Sequence, residues 1–294
     1  MRATDGLREI SSVLGGYGIE EPPREAELIL RNCMGIDRVA FYRDNPVVSD
    51  SQWEGVRRVL QRRKEREPLQ YILGYVDFYG LRINVGPGVL IPRPETELIV
   101  QEVIKTVKRG ALGACDVEDP SHCSPNGLRI LDLCTGSGCL ALALAKQFEN
   151  AWVWAVDCSE TTLIFAEENA KANNIKNVIF LEGDLFEPVR EKKFDIIVSN
   201  PPYIRKADLG GLAPEITNWE PLEALDGGED GLAFYRRILS CSGDYLAAGG
   251  FVVFELAQGE AGKVAEIAEE TGFRPVSLVR DFAGIERVLR LMPL

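Results

Sequence analysis

The tetrapeptide Asn200-Pro201-Pro202-Tyr203 carries the side chains of this 294-residue chain best suited to chemistry. It closes an apolar run, 194–200, that reads as a buried strand. An amide or exocyclic amino nitrogen is a poor nucleophile because its lone pair is delocalised, and no base of ordinary pKa deprotonates it beforehand. Two acceptors that hold its two hydrogens aim the lone pair at an electrophile. The Asn200 side-chain oxygen and the Pro201 carbonyl can form such a pair. The prolines fix the backbone, and Tyr203 supplies a flat face for a planar group. Positioning of this kind is worth up to ~7–11 kcal/mol in ideal cases. Taken alone, two prolines after an asparagine are equally a rigid exit from a strand, so the surroundings decide.

Those surroundings read as a nucleoside site. The run 128–133 ends in Asp132-Leu133-Cys134-Thr135-Gly136-Ser137-Gly138 and turns directly into a helix. Glycines there let backbone approach a ligand, and a helix start offers free N–H groups. A second run, 151–157, ends in Asp157, placed to accept from ribose hydroxyls. A third, 177–184, ends in Gly183-Asp184, whose carboxylate can accept from an adenine amino group. Open α/β sheets bind ligands over their strand ends, which sets Asn200–Tyr203 beside this site. Dinucleotide oxidoreductases share the logic but place a third glycine inside the helix; here Cys139 and Leu140 follow Gly138.

The elements that must position these residues fall into three parts. Residues 1–68 predict a small helical bundle: Pro22 and Pro23 precede a helix stopped by Gly35, and Ser49 or Asp50 caps another that Pro68 ends. Across 69–92, aromatic and β-branched residues alternate around Asp77 and Gly80, predicting a β-hairpin connector. From 93 to 294, strands alternate with helices, the pattern of a doubly wound α/β sheet. Seven strands are countable. The last two, 273–281 and 286–292, have no helix between them, so one of the pair is expected to be antiparallel.

The glycine turn, the strand-end acids and the trailing strand pair resemble class I S-adenosylmethionine methyltransferases, with Cys134 where many of them carry glycine. Asn-Pro-Pro-Tyr resembles the motif of amino methyltransferases acting on adenine, guanine or glutamine amide nitrogens. Upstream stands Ile91-Pro92-Arg93-Pro94-Glu95-Thr96-Glu97, and downstream Glu220-Pro221, Gly227-Gly228 and Asp230-Gly231-Leu232. With the helical domain and the hairpin, these segments resemble the HemK/PrmC family, the peptide chain release factor glutamine methyltransferases, over nearly the whole chain.

The resemblance implies S-adenosylmethionine as cofactor, with contacts at Cys134, Thr135, Gly136, Ser137, Gly138, Asp157, Asp184, Leu185 and Asn200. It implies that Arg93, Glu95 and Thr96 line the donor's methionine end or order a lid over it. Asn200, Pro201, Pro202 and Tyr203 would bind the substrate and carry catalysis. Because the leaving group is already cationic, no acid, metal or histidine is required. The acceptor implied is the glutamine of the Gly-Gly-Gln motif of release factors, gripped by the helical domain. Glu220-Pro221 and Gly227-Gly228 are expected to shape the substrate loop, and Asp230 to cap the following helix. Other readings stay open: a ribosomal-protein glutamine or nucleic-acid amino methyltransferase using the same tetrapeptide, or a non-catalytic partner of a translation factor.

Composition narrows these classes. With 46% hydrophobic and 27% charged residues the chain is globular. Its net charge of −12 argues against a binder of nucleic-acid backbone, so no stable nucleic-acid binding is expected. Arg57, Arg58, Arg62, Arg63, Lys64 and Arg66 form a basic cluster, read as a solvated helix face or a docking surface for an acidic partner. Seven cysteines include no CxxC pair, and Cys134, Cys139 and Cys158 read as small hydrophobes. Cys115, His122 and Cys123, in the unusual stretch 110–127, offer three ligands without a fourth, so no metal is expected. The unpaired cysteines and the lack of a signal peptide or membrane-length apolar run predict a cytoplasmic, membrane-free protein. It is expected to be monomeric.

Overall fold

The computed structural model describes residues 1–109 and 127–294. Cys115, His122, Cys123 and all of the stretch 110–127 but its last residue lie outside the described residues. The chain divides into two compact units, one of residues 1–74 with 213–219, the other of 75–212 with 220–294.

The first unit is helical. Helix α1 runs Ala3–Gly16, α2 Pro22–Met34, α3 Arg38–Asp44, α4 Asp50–Lys64 and α5 Leu69–Leu73. Gly35 ends α2 in the left-handed conformation, with φ 65°, as its lack of a Cβ allows. Ser49 caps α4 in a reciprocal box with Gln52. One face of each long helix closes a core of Ile10, Leu14, Ile29, Leu30, Phe41 and Val56.

The basic cluster does not form one face. Arg57, Arg58 and Lys64 are exposed, whereas Arg63 is 2% exposed. Arg63 Nε donates to Glu25 Oε2 at 2.8 Å, and its Nη2 to Glu215 Oε1 at 3.2 Å. Arg66 Nη2 donates to Glu215 Oε2 at 2.7 Å. Glu215 lies on the short helix α9, whose range Pro214–Thr217 falls far along the chain yet within this unit. Breaking a buried pair of this kind costs ~3–5 kcal/mol, so charge pairing ties the 213–219 segment into the bundle.

The second unit opens with a hairpin shorter than the sequence suggests. Strands β1 (Tyr75–Phe78) and β2 (Leu81–Asn84) pair antiparallel through a two-residue turn at Tyr79-Gly80. Both turn residues have positive φ, the geometry that matches strand twist. Residues 69–73, expected as hairpin, form α5 instead. Leu69 and Tyr71 are buried, and Gly74 stops the helix at φ 85°.

The remaining elements are α6 (Glu97–Lys108), β3 (Arg129–Leu133), α7 (Cys139–Gln147), β4 (Trp152–Asp157), α8 (Glu160–Ala172), β5 (Val178–Glu182), β6 (Phe194–Ser199), α10 (Ala233–Tyr245), β7 (Leu246–Glu255), α11 (Ala261–Glu270), β8 (Phe273–Arg280) and β9 (Glu286–Pro293). The seven-stranded sheet has the order β5-β4-β3-β6-β7-β9-β8. In this sheet β9 runs against the other six strands, pairing antiparallel with both β7 and β8, as the missing crossover helix predicts. Leu131, Ile197, Val252 and Phe254 are fully buried, as expected for parallel strands covered on both faces. Strand order reverses between β3 and β6, which opens a crevice over their carboxyl ends.

Candidate active site

Everything singled out as chemistry hangs on that crevice. The glycine turn leaves β3, Asn200–Tyr203 leaves the adjacent β6, and the two strand ends are tied by Ser199 Oγ donating to the Leu133 carbonyl at 2.7 Å. The turn itself is left-handed at Cys134 (φ 61°), Gly136 (54°) and Gly138 (77°). An L-residue in that region carries roughly 1–2 kcal/mol of strain. At Cys134 the packing of its side chain on the sheet core offsets it, and burial pushes the thiol well up. Gly138 serves helix packing, since a Cβ there would sit 2.9 Å from that of Ala166.

Asp157 holds the turn from below: its Oδ2 accepts from Gly136 N at 2.8 Å and its Oδ1 from Ser159 N at 3.1 Å. Cys158 is exposed rather than packed, because it follows β4 at the crevice wall. Asp184 pairs with Arg237, Nη2 to Oδ2 at 2.5 Å, so one of its oxygens is engaged by protein. Leu185 is buried at φ 51°.

Two hollows lie here, with Leu90, Cys134, Gly136 and Asn200 lining both. The larger, about 440 Å³, is lined by Cys134, Gly136, Asp157, Asp184, Leu185 and Phe234 among others. That lies within the ~300–1,000 Å³ typical of ligand sites. The smaller, about 40 Å³, is walled by Arg93, Thr96, Asp132, Thr135, Ser137 and Asn200. Asn200 borders both. Pro202 lines only the larger, while Glu95, Pro201, Gly138 and Tyr203 line neither.

Arg93 is held from a distant part of the chain. Glu220 Oε1 accepts from Arg93 Nη2 at 2.6 Å, and its Oε2 from Ile91 N at 3.0 Å. Asp230, expected to cap α10, does not: Leu232 is the N-cap residue and no side chain caps the helix, because Asp230 stands too far ahead and accepts instead from Leu232 N at 3.1 Å and from Arg236. Gly227 lies against the tetrapeptide: its N–H donates to the Ile204 carbonyl at 2.8 Å, and an added Cβ would lie 2.7 Å from Tyr203 Cα. Gly227→Ala is therefore expected to displace the Asn200–Tyr203 exit and slow turnover about tenfold, the scale of a small misplacement at a reacting centre. Donor affinity, measured by calorimetry, should hardly move.

Two residues to which the sequence assigned no role complete the site. Asp132 is 1% exposed; its Oδ2 accepts from Thr135 Oγ1 at 2.6 Å and from Ala141 N at 3.1 Å. Its Oδ1 has no partner among the described residues, and burial raises its pKa to about 7. Glu255, at the end of β7, is 2% exposed, and burial lifts it to about 6. Its Oε2 accepts from Thr96 Oγ1 at 2.6 Å and its Oε1 from the Tyr203 hydroxyl at 3.1 Å. Tyr203, expected to offer a flat face, thus turns its hydroxyl inward and stays half-buried. No cluster of His, Cys, Asp and Glu suited to a metal occurs among the described residues, nor any helix long and apolar enough to cross a membrane.

A crevice at the switch point, a glycine turn beneath it and one antiparallel strand near the far edge define the class I methyltransferase fold. Solved structures share it. The T. Thermophilus 16S rRNA N2 G1207 methyltransferase aligns over 75% of this chain and 50% of its own, with 21% identity and TM-score 0.51. The hMettl16 catalytic domain aligns over 72% and 75%, with 16% identity and TM-score 0.52. Residues 5–74 match the PrmC N-terminal domain and 121–215 the Methyltransferase small domain. The release factor glutamine methyltransferase of Thermodesulfovibrio yellowstonii is 44% identical, covering 99% of this chain and 98% of that protein. That of Geobacter sulfurreducens is 40% identical over 96% and 95%. The chain belongs to the release factor glutamine methyltransferase family.

Proposed function

We propose that this enzyme transfers a methyl group from S-adenosylmethionine to the side-chain amide nitrogen of the glutamine in the Gly-Gly-Gln motif of a peptide chain release factor. The observation that carries this reading is the position of Asn200 on the wall of both hollows, where a nucleoside-bound methyl and an incoming amide would meet. Full-length relatives bearing that activity in their names support the choice of acceptor.

The residues present fit the donor. The larger hollow takes its adenosine, with Asp157 toward the ribose and the Asp184-Leu185 pair toward the base. The smaller takes its methionine end, where the unpaired Oδ1 of Asp132 suits an ammonium. Arg93, Thr96, Thr135 and Ser137 complete that wall. When bound, S-adenosylmethionine supplies a methyl on cationic sulfur, which departs as a neutral thioether without an acid. Asn200 Oδ1 and the Pro201 carbonyl hold the two amide hydrogens and aim the nitrogen lone pair. Pro201 and Pro202 keep that carbonyl fixed, and the amide proton leaves to solvent after transfer. Residues 1–68 act as the docking domain for the factor, 69–92 as linker and 93–294 as the methyltransferase domain. The protein acts as a monomer in the cytoplasm, without stable nucleic-acid binding.

The test is incubation with methyl-labelled S-adenosylmethionine and purified release factor, followed by mass mapping. A gain of one CH2 on the Gly-Gly-Gln glutamine is expected. Label appearing only on nucleic acid or on another protein would overturn the acceptor assignment.

A further inference from the structure

The carboxylate of Glu255 touches neither hollow, yet it joins both ends of the tetrapeptide. Tyr203 donates its hydroxyl to Oε1 at 3.1 Å, and Thr96 donates Oγ1–H to Oε2 at 2.6 Å. Asn200 Nδ2 in turn donates to Thr96 Oγ1 at 3.2 Å. The order of these donors is forced. An ionised carboxylate only accepts, and a threonine hydroxyl has a single proton. While that proton is held by Glu255, the Thr96 oxygen can only accept from the Asn200 amide, so Nδ2 faces Thr96 and Oδ1 faces the crevice.

We propose that Glu255, acting through Thr96, is a positioning residue that sets the orientation of the Asn200 side-chain amide, presenting its oxygen to the substrate amide. This rests on the reading of the crevice as a glutamine methyltransferase site. Asparagine has two nearly isosteric ends, and only its oxygen can hold an N–H of the acceptor. A protonated Glu255 becomes a donor, frees the Thr96 proton to turn toward Asn200, and lets the amide flip its nitrogen into the crevice.

The charge state of Glu255 is set by its whole surroundings. Burial and Glu95, on the turn before α6, raise its pKa; Thr96, Tyr203 and Arg287 on β9 lower it, to a net of about 6. The phenol of Tyr235 on α10 and the thiol of Cys139 at the start of α7 also feel its charge, and the Tyr235 hydroxyl donates to the Glu255 carbonyl at 2.8 Å. A bound cationic donor pulls the titration lower still.

The wild-type enzyme, saturated with donor and release factor, should lose kcat on an acid limb at or below pH about 6, as expected where the charged form of a group is required. Glu255→Gln should lower kcat about tenfold above that limb and abolish the limb, with the KM for release factor little changed. Thr96→Ser should keep kcat within about threefold, whereas Thr96→Val should match Glu255→Gln, a pair that serves even where Glu255→Gln folds poorly. A readout free of turnover is the 15N side-chain amide resonance of Asn200, which should shift with pH near 6 in wild type and stay flat in Glu255→Gln. A Glu255→Gln enzyme with wild-type kcat and an intact limb, or Thr96→Val behaving like Thr96→Ser, overturns the proposal. Wild-type protein that labels no glutamine at all would instead sink the functional reading beneath it.

Discussion

Asn200→Ala is expected to slow methyl transfer about a thousandfold, the upper range for removing one preorganised hydrogen-bonding group at a reacting centre. The donor should still bind, because the adenosine contacts proposed for it lie on other strands: Asp157 ends β4, and Asp184 and Leu185 follow β5. What disappears is one of the two acceptors proposed for the substrate N–H groups. With Pro201 alone the amide can rotate, and its lone pair no longer points along the line of methyl transfer. Truncation also removes the donor to Thr96 Oγ1, so the hydroxyl is left with its bond to Glu255 and without a partner on its oxygen. Single-turnover transfer at saturating donor, set beside donor affinity by calorimetry, separates the two effects. Transfer within tenfold of wild type would show that the Asn200 oxygen does not hold the substrate.

The parts of the site that were legible in the sequence are those written as local strings at strand ends. Asn200–Tyr203, the turn 134–138, Asp157 and Asp184 each follow an apolar run that reads as a strand, and parallel strands bring their carboxyl ends to one edge. Glu255 obeys the same rule, as the acid that ends β7, but it stands in an otherwise apolar run beside no glycine turn. A charge at the last buried position of that strand is the signal that would have found it. The pairing of Arg93 with Glu220 spans 127 residues and leaves no local trace. Neither does Glu215: from sequence Arg63 and Arg66 read as part of a solvated face or of a docking surface for an acidic partner, and the carboxylate they meet stands 152 and 149 residues further along the same chain.

The missed helix α5 has a different cause. Residues 69–73 hold Leu, Gln, Tyr, Ile and Leu, a composition as suited to a strand as to a helix, and five residues are too few for a period to declare itself. Burial of Leu69 and Tyr71 together with the left-handed Gly74 settled it. The helix α6 begins inside the Arg93–Glu97 segment, and its amphipathic pattern, with Ile99, Val100 and Val103 buried, continues from that segment without a break.

Asp132 leads to the second large effect. Its carboxylate is buried with one oxygen unpartnered among the described residues and a pKa of about 7, and Asp157 nearby pushes in the same direction as burial. A folded-state pKa above the unfolded value means that the folded form binds the extra proton. Its stabilising contribution is therefore full at acidic pH and is lost as pH rises from about 4 through about 7. A displacement of about three pH units corresponds to roughly 4 kcal/mol held against the ligand-free fold at pH near 8. Such a charge is useful if a cation arrives to meet it, and the methionine ammonium of the donor is the cation proposed for it. Asp132→Asn keeps the shape and an oxygen for Thr135 and Ala141 while removing the charge. The variant should melt several degrees higher than wild type without ligand at pH about 8, given ~2–4 °C per kcal/mol for a domain of this size. It should also bind S-adenosylmethionine about a hundredfold more weakly, which matches the ~1.5–3 kcal/mol of a hydrogen bond to a charged group. Wild-type affinity should weaken nearly tenfold from pH about 7.5 to about 6, as a pKa near 7 requires, whereas the variant should be flat across that range. A variant that binds donor as tightly as wild type, with the same pH dependence, would mean that Asp132 serves the turn alone and that the ammonium is met elsewhere.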